Sequence, residues 1–69
     1  MVEVFKTNVN SEAHASSLIS LLQMAFPHHK INFDLEDCDK ILRVEGHSIS
    51  PESIITLLQE NNCDGEVLE

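Results

Sequence analysis

The chain has 69 residues, enough for one domain over residues 1–69 and too few for a second. Its 12 acids against 4 bases give a net charge of −8, a field that repels phosphate backbones and anionic lipid surfaces and so excludes nucleic acid and membrane as expected partners. No apolar run nears the roughly 18 residues of a membrane span, and Met1-Val2-Glu3-Val4 has neither the basic flank nor the apolar stretch of a signal peptide, so a cytoplasmic protein is expected.

Residues 2 to 8, with Val2, Val4 and Phe5, read as a first strand. Asn10 or Ser11 is placed to cap a helix, and Glu12 suits its first turn. Ala15, Leu18, Leu22 and Ala25 then recur at helical spacing, widened by Ile19, Leu21 and Phe26. Pro27 ends that helix, since the residue before proline avoids the helical region. Ile31, Phe33 and Leu35 alternate with Asn32, Asp34 and Glu36, the pattern of a strand with one wet face. A polar turn, Glu36-Asp37-Cys38-Asp39, leads into a second hairpin strand with Ile41, Leu42 and Val44. Gly46-His47-Ser48 is a loop. Ser50-Pro51-Glu52 starts a helix with a capping hydroxyl, a proline at the first helical position and an acid behind it. Ile54, Ile55, Leu57 and Leu58 form its apolar face, and Asn61-Asn62 can close it. Glu66-Val67-Leu68 is a short last strand.

The order βαββαβ predicts an α+β, ferredoxin-like sandwich: a four-stranded antiparallel sheet, first and third strands central, with both helices on one face. Ala15, Leu18, Leu22, Phe33, Leu42, Val44, Ile54 and Leu58 are the expected core. By alternation the outer sheet face is expected to carry Glu3, Phe5, Asn32, Asp34, Ile41, Arg43 and Glu45. Phe5, Ile41 and Arg43 on that face are a candidate contact surface for a protein partner or a weak homodimer.

Element order and lengths, with a strand breaking into a polar loop and then a helix over Val4 to His14, resemble the heavy-metal-associated domain family of small copper and zinc carriers. The resemblance spans essentially the whole chain. It implies a metal held by a Cys-x-x-Cys motif in that loop, but the matching positions here read Ser11-x-x-His14. Neither residue replaces a thiolate pair, because a hydroxyl rarely ionises near neutral pH. In the family the loop holding Cys63 reaches toward the ion, so His14 and Cys63 are the candidate metal ligands, for weak zinc or copper at most. The topology gathers Ser11, His14, Cys38 and Cys63 at one end of the sheet with Glu36, Asp37, Asp39 and Asp64. It gathers His28, His29 and His47 at the other. His14-Ala15-Ser16 at a helix start is also similar to the phosphocarrier proteins of sugar transport, which implies a phosphorylated His14, although the glycine, arginine and proline of that motif are missing.

No phosphate loop or catalytic triad appears, and Gly46 and Gly65 are the only glycines. The two cysteines are too few for a disulfide framework and are expected to be free thiols. The expected function is a small non-enzymatic binding or interaction module with a degenerate metal site. The alternative is a zinc or copper carrier using His14 and Cys63.

Overall fold

The computed structural model describes residues 1–68. The elements run β1 (Val2–Thr7), α1 (Glu12–Ala25), β2 (Lys30–Asp34), β3 (Ile41–Glu45), α2 (Pro51–Glu60) and β4 (Gly65–Val67). The strands form one antiparallel sheet in the order β2-β3-β1-β4, so the first and third strands are central and the fold is the ferredoxin-like α+β arrangement. Among the described residues no helix is long and apolar enough to cross a membrane.

Local chemistry sets the boundaries. Ser11 caps α1, its Oγ accepting the His14 backbone N–H at 3.1 Å, and Ser50 caps α2 through the Ser53 N–H at 3.4 Å with Pro51 directly behind it. α1 stops at Ala25, one residue short of the Phe26 that Pro27 keeps out of the helical region. α2 ends in a Schellman motif. Asn62 takes the left-handed conformation at φ 61°, the Cys63 N–H bonds the Leu58 carbonyl at 2.9 Å, and the Asn62 N–H bonds the Gln59 carbonyl at 3.3 Å. The apolar contact that accompanies this motif falls to Cys63 and Leu58, both in the core.

One core lies between sheet and helices. Leu18, Leu22, Ile54 and Leu58 from the helices meet Phe5, Ile31, Leu42 and Val44 from the sheet, all nearly or fully inaccessible. Val9 and Ile49 seal it from the loops.

Three placements, those of Phe5, Glu3 and Phe33, differ from the sequence reading. Phe5 is 0% exposed and belongs to the core, not to the outer sheet face. Its neighbours across the sheet, Leu42 and Val67, also point inward, so β1 turns Val2, Val4 and Lys6 outward and Phe5 and Thr7 inward. Burying a phenylalanine is worth about 1.5–3 kcal/mol. That gain outweighs the half-burial of Glu3 near the strand's start. Phe33, expected in the core, is only half-buried, because β2 is an edge strand and α1 covers it incompletely.

Candidate functional site

The end of the sheet where β1 exits is held together by the residues that leave it. Thr7 is buried, and its hydroxyl donates to the Lys40 carbonyl while its N–H bonds the Asp39 carbonyl at 3.1 Å. These two bonds pin the 37–40 turn against β1, with Lys40 in a left-handed conformation at φ 47°. The next residue, Asn8, makes a reciprocal pair with Asp64. Its Nδ2 donates to the carboxylate at 3.1 Å, and its Oδ1 accepts the Asp64 N–H at 3.0 Å. Asn8 therefore fastens the loop before α1 to the turn before β4. This role was missed in the sequence, where nothing local links residues 56 positions apart.

His14 and Cys63 both lie at this end, and each is already engaged. The His14 ring is half-buried with Nε2 3.2 Å from the Asn61 carbonyl, so in the tautomer protonated there it ties the start of α1 to the end of α2. A metal at Nε2 would have to break that bond. Cys63 is 1% exposed, and its Sγ donates to the Asp64 carbonyl at 3.4 Å. Burial pushes its thiol above the ordinary 9.0, a hydrogen bond from the Asn8 backbone pulls it partly back, and the Asp64 carboxylate adds to the rise. A thiol held protonated is a poor metal ligand. The Ser11 hydroxyl is spent on the cap.

Cys38, the second free thiol, is exposed in the hairpin turn. There the ligand atoms of Asp37, Cys38 and Asp39 lie within 4.8 Å of one another, the one such group of three among the described residues. It contains neither His14 nor Cys63. The Asp37 carboxylate already accepts the Asp39 N–H at 2.8 Å, the ordinary bond of a tight aspartate turn.

At the opposite end the histidines separate. His29 turns inward, its Nε2 2.8 Å from the Ser48 carbonyl and its ring 5.4 Å from that of Phe26. Its Nδ1 is buried without a partner among the described residues. Gly46 gives it room, since a Cβ there would lie 3.1 Å from the ring. His28 and His47 stay exposed and line one shallow depression with Met1 and Lys30.

The outer sheet face, without Phe5, keeps Val4 and Ile41, both half-buried, between charges of both signs. Arg43 lies 3.9 Å from Glu45, and Lys6 lies 3.8 Å from Asp39. A more continuous apolar surface runs between α1 and the free edge of β2. Ala15, Ile19, Phe33 and Leu35 form its floor. Glu12, Asp34 and Glu36 stand around it.

Comparison with known protein families and with curated proteins returns no match.

Proposed function

We propose that the chain is a small non-enzymatic interaction module, of heavy-metal-associated type in its architecture, in which the metal position has been given over to holding the fold together. The observation that carries this reading is that Ser11 and both candidate ligands, His14 and Cys63, are already engaged in holding the fold. Ser11 caps α1, His14 bridges the two helices, and the protonated Cys63 thiol fills the apolar position of the Schellman motif. Drawing a cation to Cys63 would cost its buried position, and buried positions of this kind are worth kilocalories in so small a domain.

A carrier with a changed ligand set is the competing reading. It is favoured by one fact, that His14 and Cys63 reach the same end of the sheet. Elemental analysis of protein purified without a histidine tag, followed by zinc and copper(I) titration, separates the two. The module takes up neither ion stoichiometrically. Tight one-to-one copper(I) binding that disappears in both His14→Ala and Cys63→Ser would establish the carrier instead.

A further inference from the structure

We infer that the groove between α1 and the free edge of β2 takes an extended, basic segment of a partner protein, added to the sheet as a fifth strand. This rests on the reading of the chain as an interaction module and gives that module its surface.

Three observations converge there. β2 pairs with β3 on one side only, and among the described residues no strand flanks its other side. Such an edge presents a row of unpaired N–H and C=O groups, the template that strand addition uses. Beside the edge the floor is apolar. Phe33 and Leu35 are half-buried, left short of full cover by α1, and Ile19 meets them from the helix. Alternate side chains of an added strand would reach this floor, because successive side chains point to opposite faces. Besides Ser16 the remaining lining is acidic, with Glu12 from the helix and Asp34 and Glu36 from the strand end, and no base lines the groove. Lys40, in the adjoining turn, is turned to the Leu35 carbonyl at 3.0 Å.

These features select an occupant. A second copy of the chain would bring a net charge of −8 against the same carboxylates. An acidic or phosphorylated peptide meets the same repulsion. A segment alternating apolar residues with lysine or arginine satisfies backbone and floor, while its basic side chains, on the opposite face, meet Asp34 at the strand end and lie in the negative field of the rim. β2 has 5 residues, so four to six residues of partner are about what the edge can pair.

The test uses the full chain and a fluorescein-labelled octapeptide of alternating valine and lysine, with a valine–glutamate octapeptide as control. Anisotropy at low salt is expected to show saturable binding of the lysine peptide only, weakening steeply with added salt. Amide shifts in the labelled protein should concentrate in residues 30–36 and the first two turns of α1. Glu36→Lys should weaken binding about tenfold while the circular dichroism spectrum holds and the melting temperature does not fall, and Glu12→Gln should act in the same direction. N-methylation of alternate peptide residues should abolish binding in the register that removes the pairing N–H groups. Equal binding of both octapeptides, shifts confined to the outer sheet face, or indifference to N-methylation in either register would each overturn the inference. Concentration-dependent shifts along β2 without peptide would assign the edge to a second copy and overturn it as well. The metal titration reads the module proposal separately. Stoichiometric copper(I) with peptide still bound would sink that reading and keep this surface, whereas refusal of both metal and peptide would do the reverse.

Discussion

Burial at 1% holds the Cys63 thiol above its ordinary 9.0, whereas Cys38 stands in solvent in the hairpin turn. An Ellman titration of the native protein should therefore release one equivalent rapidly, lost in Cys38→Ser, and a second only on unfolding. Two fast equivalents would show that Cys63 is open. The raised thiol also links stability to pH. The folded chain keeps the proton to higher pH than the unfolded one, so the contribution is fully present below the unfolded value and is lost as pH rises through the folded one. Melting temperatures across about pH 8 to 11 should fall more steeply for the native protein than for Cys63→Ala, even though that variant starts lower. A parallel decline would remove the thiol as the cause. The sequence offered Cys63 as a candidate ligand, and the structure makes it a buried member of the core. That burial depends on Asn62 and on Leu58 a turn earlier, a geometry that appears only once α2 has ended.

The element boundaries were largely legible, because they follow local chemistry. Ser11 and Ser50 cap, Pro27 stops α1, and Asn62 turns left-handed to close α2. Asn62→Ala should cost about 1 kcal/mol, since alanine pays the steric penalty of that conformation more heavily than asparagine. Urea denaturation measures it, and an unchanged midpoint would mean the motif carries no strain. The facing of β1 was not legible. Val2, Val4 and Phe5 support two registers, and a one-residue slip exchanges every side chain between faces. Assigning Glu3 to solvent sent Phe5 out with it. The structure resolves the conflict through Thr7, whose buried hydroxyl is satisfied by Lys40 across the hairpin, a partner 33 residues away. Long-range pairing of this kind leaves no local trace.

At the scale of the whole molecule, charge is unevenly distributed. Lys6, Lys30 and Arg43, three of the 4 bases, share the outer sheet face with Asp34, Glu45 and Glu66, so that face is close to neutral and the net −8 lies elsewhere. Self-repulsion on that scale destabilises the compact state and is screened by salt. The melting temperature should rise between about 0.01 and 0.5 M sodium chloride, by an amount that charge-neutralising changes at Glu36 and Glu60, which make no ion pair among the described residues, reduce. A melting temperature that fell with salt would mean that favourable ion pairs dominate. The overall topology could be read from the order of elements alone, since few arrangements of βαββαβ obey the crossover rules. The candidate site could not. Its would-be ligands were legible as residue types, but their engagement by Asn61, Asp64 and the α1 cap is a product of packing.

The placement of β4 beside β1 has a consequence for how the chain can be rewired. The two strands are antiparallel neighbours, and the Leu68 N–H bonds the Val4 carbonyl at 2.8 Å. Residues 1 and 68 therefore emerge at the same end of the sheet, within reach of a short glycine-serine linker. A circular permutant joined there and opened between Glu36 and Asp37 keeps the 37–40 turn and its bonds to Thr7 intact. It should recover the same heteronuclear NMR fingerprint outside the new junctions, because the sheet order depends on which strands neighbour one another and not on which comes first.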